Sequence, residues 1–188
     1  MGKLLSEMTL GELWELFPII LSEHKAYWNG WYVEEEKRIK VFLPINNARI
    51  SHIGSTAIHD IWAKPIIDIL LEIPETISME TVKHMLVDNG YICMSESDRR
   101  KSFNRGYNSD GFAERVFHLH LRYRGDNNEL YFRDYLIDNP DVAKEYETLK
   151  LSLWKKYEYN RDSYTDVKSE FVEKYTVKAK EKYKNRYA

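Results

Sequence analysis

Residues 52–73 read HIGSTAIHDIWAKPIIDILLEI. A short apolar segment stops at Gly54, and a Gly-Ser-Thr turn follows. After a loop the chain enters the run PIIDILLEI, interrupted internally by Asp68. A lone carboxylate in a strand costs desolvation free energy unless it meets a partner or a metal. Alternation sorts the strand into two faces. Ile66, Asp68, Leu70 and Glu72 share one, and Ile67, Ile69, Leu71 and Ile73 share the other. One face is wholly apolar and the other carries charge.

A later stretch, RVFHLHLRY at 115–123, sorts the same way. Val116, His118, His120 and Arg122 fall on one face, and Phe117, Leu119, Leu121 and Tyr123 on the other. If the two strands are neighbours, Asp68, Glu72, His118 and His120 line one cleft and form a divalent-metal or acid–base site. Each has a plainer alternative. Asp68 could pair with Lys64 or an arginine, and the two histidines could face water from a one-sided sheet.

Outward from these strands the chain divides into helices, a strand-rich middle and a helical C-terminal third. Apolar spacing predicts a helix over 9–21, with Thr9 and Glu12 as a capping box and Pro18 ending or kinking it. A second helix is predicted over 28–43, where EEE precedes KRIK as the helix dipole favours. Strands are predicted over 49–53, 65–73, 91–95, 102–107 and 114–123. A helix over 78–89 is capped by Ser78 and stopped by Gly90. GDNN at 125–128 is a turn, and helices follow over 129–138, 141–157 and 164–187. There is no internal repeat and no low-complexity linker. The expected fold is α/β (α+β): a mixed sheet flanked by helices, with a helical C-terminal third.

The chain has 188 residues, 43% hydrophobic and 31% charged, with net charge −2. That describes an ordinary globular protein with room for a core. It gives no overall electrostatic case for nucleic acid or a membrane surface. The Tyr- and Lys-rich stretch after Tyr157 mixes charge signs and reads as a solvated amphipathic helix, not a nucleic-acid surface. Cys93, the only cysteine, reads as a buried free thiol in a reducing compartment. The N-terminal stretch is broken by acids and lacks a signal-peptide core, and no segment is long and apolar enough to span a bilayer. The expected location is the cytoplasm.

The Gly54-Ser55-Thr56 turn can present backbone N–H groups to a phosphate. A Gly-Ser turn followed by an Asp-bearing apolar strand is the arrangement of nucleotidyl-transferring enzymes. In those, turn and hydroxyl hold the triphosphate while strand carboxylates hold Mg²⁺ against it. The whole stretch resembles the signature of the GrpB family: an HIGST turn, a short loop and an AKPIID strand. FHLHL at 117–121, YFRDYLIDNP at 131–140 and EYETLK at 145–150 resemble later family motifs. The resemblance covers about residues 23–179. It implies an N-terminal helical extension over 1–22 and one domain over 23–188, with a fold like the polymerase-beta-like nucleotidyltransferases.

The chain departs from that pattern in two places. Its loop reads Ile58-His59-Asp60-Ile61 where the family has Val-Pro-Gly-Leu. Nucleotidyltransferases also carry two acids separated by one residue, and here the second position is Leu70. Glu72 lies two positions further on the same face, roughly 7 Å along. In place of a third acid the later strand offers His118 and His120, which suit Mn²⁺ or Zn²⁺ better than Mg²⁺.

Two functions follow as expectations. The first is metal-dependent transfer of a nucleotidyl or phosphoryl group from a nucleoside triphosphate to a small acceptor. Asp68 and Glu72 would hold Mg²⁺ or Mn²⁺ assisted by His118 and His120. Gly54, Ser55, Thr56, Lys64, Arg133 and Lys150 would hold phosphate. The second is a non-catalytic module that has lost the second acid and binds a nucleotide or phosphorylated metabolite. A third, a metal-dependent hydrolase, would use Asp68, His118 and His120. For Arg133 and Lys150 the plainer alternatives are pairing of Arg133 with Asp134 or Glu129, and of Lys150 with Glu147 or Tyr146.

Overall fold

The computed structural model describes residues 5–187. Its centre is a five-stranded mixed sheet flanked by helices on both faces, with a helical C-terminal third, as expected from the sequence. The strands are β1 (Arg49–Ile53), β2 (Ile66–Ile73), β3 (Ile92–Glu96), β4 (Arg100–Asn108) and β5 (Gly111–Tyr123), in the order β1-β2-β5-β4-β3. The helices are α1 (Leu10–Leu16), α2 (Tyr27–Phe42), α3 (Met79–Asp88), α4 (Asn128–Asp138), α5 (Pro140–Tyr157) and α6 (Arg161–Tyr183).

β2 and β5 are adjacent and parallel, with Asp68 opposite His118, Leu70 opposite His120 and Glu72 opposite Arg122. Their apolar faces meet α2 and α3. Ile67, Ile69, Leu71, Phe117, Leu119 and Leu121 are fully or almost fully buried against Trp28, Ile39, Val82 and Leu86. Each buried Leu or Ile of this layer contributes about 1.5–3 kcal/mol. The other face, which carries Asp68 and the two histidines, lies under α4, α5 and α6. Phe132, Leu136, Ala143, Tyr146 and Tyr175 form a separate core there.

The N-terminal segment departs from the expected helix over 9–21. The Thr9–Glu12 capping box is present, but α1 ends at Leu16. Pro18 lacks a backbone donor and forces an extended chain. Ile19 and Leu21 are then buried beside Leu153 and Tyr164. The Ile19 amide donates to the Glu158 carbonyl (2.9 Å), and Ser22 and Ala63 exchange two backbone hydrogen bonds of 2.9 Å. The segment just before residue 23 is thus stitched to the domain.

Two further expectations are corrected. Cys93 is half-buried, not buried, because it lies on the outermost strand β3. The stretch after Tyr157 is not a solvated helix throughout. α6 buries Tyr164, Tyr175, Thr176 and Ala179 and closes one side of the cleft.

Candidate functional site

The loop between β1 and β2 shapes the mouth of the cleft. β1 ends at Ile53, and Gly54 turns the chain with φ +70°. Only glycine adopts this conformation without strain. The geometry also demands it sterically, since a Cβ at Gly54 would sit 2.4 Å from Asp68 Oδ2. Gly54 is therefore what lets the turn approach the strand acid. The turn then makes one 3₁₀ turn, Ser55–Ala57, instead of starting an α-helix. The Ala57 and Ile58 amides donate back to the Gly54 and Ser55 carbonyls (3.2 Å each), which leaves the Ser55 and Thr56 amides outside that pattern. The Thr56 hydroxyl is buried and spent. It meets His52 Nε2 at 3.0 Å and donates to the Ile66 carbonyl at 3.2 Å. His52 stacks on Tyr32 on the opposite face of the sheet, and burial lowers its pKa to about 4.

Asp68 sits at the floor. His118 Nδ1 and His120 Nε2 both face its Oδ1, at 3.4 and 3.7 Å. Burial pushes the carboxyl pKa up, but the two imidazoles outweigh it and hold the group below the usual carboxylate range. Behind His118 the network continues. Arg161 donates to the Tyr107 hydroxyl at 3.0 Å, and that oxygen lies 2.8 Å from His118 Nε2. With Arg161 filling an acceptor position, Tyr107 donates to Nε2, and the imidazole proton sits on Nδ1, facing Asp68. Burial lowers the His118 pKa, opposed by Asp68.

Glu72 is the main correction among the expected ligands. It shares Asp68's face of the strand but lies outside the cleft, fully buried. Arg49 grips it through Nε (2.5 Å) and Nη2 (2.8 Å), and Asn127 Nδ2 donates at 3.0 Å. Its lone pairs are committed to joining β1, β2 and the turn before α4, so it is not a metal ligand. Arg133 is corrected in the same way. It donates to the His52 carbonyl (2.7 Å) and twice to Asp134 (2.9 and 2.7 Å), and it does not line the cleft.

The Mg²⁺ or Mn²⁺ expected on Asp68 and Glu72 therefore does not fit the donors present. Leu70 supplies no oxygen, Glu72 is sequestered, and both ring nitrogens of His118 are engaged. Among the described residues no group of three or more His, Cys, Asp or Glu is arranged to hold an ion.

The cleft itself is a cavity of about 770 Å³. The Gly54–Thr56 turn, Asp68 and His120 form its floor, and Tyr146, Tyr164 and α6 form its wall. Charged side chains of both signs line it: Lys64, Lys150, Lys168 and Lys180, with Asp68, Glu129 and Glu173. Lys64 Nζ lies over the Tyr164 ring at 5.5 Å, and Lys168 Nζ over the same ring at 4.3 Å. Lys150 lies over Tyr146 at 4.9 Å and donates to the Trp62 carbonyl. Burial, then the charges of Arg161 and Lys168, drive the Lys64 pKa well down. Burial lowers Lys150 to about 7 and Lys168 to about 8.

Tyr107, Arg161, Tyr164 and Lys168 were not anticipated from the sequence. The Tyr164–Lys168 spacing of one helical turn was the available signal, repeated by Phe171 and Tyr175.

A family model described as GrpB protein matches residues 18–178. The chain belongs to the GrpB family. It is 34% identical over 161 residues to the glutamate-rich protein GrpB of Alkalihalophilus pseudofirmus, covering 82% of this chain and 92% of that one. The crystal structure of conserved protein GrpB from Enterococcus faecalis superposes with a TM-score of 0.74 at 30% identity, over 87% of this chain and 99% of that one. A more distant likeness is to the Cid1 poly(U) polymerase, with a TM-score of 0.48 at 10% identity, over 76% of this chain and 44% of that one. Among the described residues no helix is long and apolar enough to cross a membrane.

Proposed function

We propose that this GrpB-family chain binds a nucleotide or similar phosphorylated small molecule in the cleft directly through lysine, without a divalent cation. One observation carries the reading. Lys64, Lys150 and Lys168 line a cavity with a single carboxylate, Asp68, on its floor, and Lys64 has no hydrogen-bond acceptor or ion-pair partner among the described residues. Buried cations of like sign depress one another's pKa, and a polyanion relieves both the repulsion and the desolvation. The volume suits a small ligand, since such pockets run about 300–1,000 Å³. The Ser55 and Thr56 amides at the rim add neutral donors.

Two-metal nucleotidyl transfer is supported less well, because it needs an acid where Leu70 stands and a free one where Glu72 is bound. The contact of His120 Nε2 with the Asp68 carboxylate at 3.7 Å favours a second reading, in which His120, the imidazole that lines the cleft, exchanges a proton with bound ligand.

The test is Lys64→Met, which keeps the apolar stem and removes the charge. Calorimetric titration with inorganic tripolyphosphate in EDTA should show binding to the wild type, weakened roughly tenfold or more in the variant. The ligand-free variant should melt no lower, because an amino group without a hydrogen-bond acceptor has been replaced by an apolar end of similar length. Tripolyphosphate binding that appears only on adding Mn²⁺ would refute the metal-free reading.

A further inference from the structure

We infer that Lys64 is also a nucleophile: its amino group captures the carbonyl carbon of a small phosphorylated aldehyde or ketone as an imine, with the phosphate on Lys150 and Lys168. The phosphate half of this assignment rests on the lysine site proposed above, and the amine half does not.

The backbone fixes Lys64 in place. Ala63 just before it exchanges two hydrogen bonds of 2.9 Å with Ser22, and the Lys64 carbonyl accepts from the Ile66 amide at 2.7 Å across Pro65. The side chain is half-buried and lines the cleft. Its amino group has no hydrogen-bond acceptor or ion-pair partner among the described residues, yet it is not sealed from solvent. A reactant in the cleft can therefore reach it. On its other side Lys64 borders a second, small cavity of about 70 Å³ with Ile20, Phe112 and Val116. Glu114 borders that space too but forms no ion pair with Lys64.

An amine attacks through its lone pair, so it must be unprotonated and unengaged. Arg161, Lys168 and Lys150 act on Lys64 with like charge, and Asp68 alone is named against them. With desolvation, that surplus of neighbouring cations favours the neutral amine. A lysine desolvated beside another cation is a recognised way of making a nucleophile at neutral pH. The other two lysines suit a different task. Lys150 is tethered to the Trp62 carbonyl, and Lys168 stands over the same Tyr164 ring as Lys64. They can hold a phosphate monoester whose carbonyl end meets Lys64. A polyphosphate instead reaches all three and draws a proton onto Lys64.

The step balances without a further reactant. The Lys64 nitrogen attacks the carbonyl carbon to give a carbinolamine. The carbonyl oxygen then leaves as water with the two amine protons, and a C=N bond remains. Nothing is oxidised or reduced. His120, which lines the same cleft, can carry a proton in this exchange.

The experiment exposes the full chain, in EDTA, to pyridoxal 5′-phosphate or to pyridoxal, reduces the adducts with borohydride and maps them by peptide mass spectrometry. At pH 7 Lys64 should be captured roughly tenfold or more faster than exposed lysines such as Lys37 and Lys155. Between pH 7 and 9 its rate should change less than about threefold, whereas an ordinary exposed amine gains roughly tenfold per unit. Pyridoxal should need roughly tenfold higher concentration, because it lacks the phosphate. Saturating tripolyphosphate should protect Lys64 and no exposed lysine. Lys64→Met should lose the fast adduct, and mapping on the wild type reads the site even if that variant fails to fold. Capture spread evenly over the lysines, or a Lys64 rate that climbs with pH like the rest, would overturn the nucleophile. Equal capture of the two aldehydes would overturn the phosphorylated class. Tripolyphosphate binding without selective capture of Lys64 would overturn this inference and leave the phosphate site standing. Selective capture of pyridoxal with no tripolyphosphate binding would overturn the phosphate site, and the phosphorylated class with it.

Discussion

Asp68→Asn separates a cation-dependent cleft from one that holds anions by itself. The carboxylate sits in a cavity lined by Lys64, Lys150 and Lys168 among others, so it opposes a bound polyanion when no metal lies between them. A unit charge at roughly 8 Å, with an effective dielectric of about 20, is worth ~2 kcal/mol. Salt at physiological strength reduces that to ~1 kcal/mol, about a fivefold change in affinity. Asn preserves the shape against Gly54, so tripolyphosphate should bind about fivefold more tightly to Asp68→Asn in EDTA. The variant also loses its charge-assisted contacts with His118 and His120, which at 3.4 and 3.7 Å are long. A cost of about 1–2 kcal/mol, or about 3–6 °C in Tm, is expected. That loss should vanish in acid. The folded carboxyl pKa is held below its ordinary value, so its contribution is present above pH 4 and disappears as pH falls through the folded pKa. Calorimetry and thermal melts at pH 7 read both quantities. A fall in tripolyphosphate affinity in Asp68→Asn, above all one visible only with Mn²⁺ present, would refute the argument and restore Asp68 as a metal ligand.

Three other outcomes follow from the same geometry. Gly54→Ala forces a side chain into a positive-φ position against Asp68 and should cost about 2–4 kcal/mol in urea melts. Glu72→Gln breaks the buried pair with Arg49 and should cost about 3–5 kcal/mol, with tripolyphosphate affinity per folded molecule unchanged. Lys150 and Lys168 have folded pKa values near 7 and 8, below their ordinary value. Between pH 7 and 9 the unfolded chain keeps protons that the folded one gives up, so ligand-free stability should rise with pH while tripolyphosphate affinity falls; two curves of the same sign would exclude the lysine site.

The two-faced character of β2 and β5 was legible because alternation writes burial directly into a strand; their parallel pairing was not. Apolar residues at 67, 69 and 71, and at 117, 119 and 121, could serve only one buried face, which fixed the opposite face for Asp68, His118 and His120. The same rule could not separate Asp68 from Glu72, since period two places both on one side. What separates them is long-range: Arg49 arrives from the neighbouring strand and Asn127 from the turn before α4. Arg133 had a sequence-adjacent acid as its alternative partner, and the His52 carbonyl fixes the arginine in place. α6 was misread for a different reason. Lysines on both sides of Tyr164 and Tyr175 mask its buried stripe, although one of them, Lys168, faces the cavity. Charge in sequence does not reveal which lysine a neighbouring helix will cover.

The substitution at Leu70 changes the chemistry of the whole cleft. Two carboxylates on one strand make a site negative, and phosphate can then approach only with cations between. With Leu70 buried beside Leu130 and Ile53, the floor keeps one carboxylate, partly balanced by two imidazoles. The lysines on β2's flank, α5 and α6 then set the sign of the cavity. On the reading proposed above, protonated Lys64 and Lys168 would oppose an added divalent cation and attract a phosphate. The two designs also differ in what they leave unsatisfied when empty. A metal site without metal leaves carboxylates repelling each other, with raised pKa values. This cleft has a carboxylate held low and lysines driven down. The proposed anion would relieve that depression by favouring the protonated lysines.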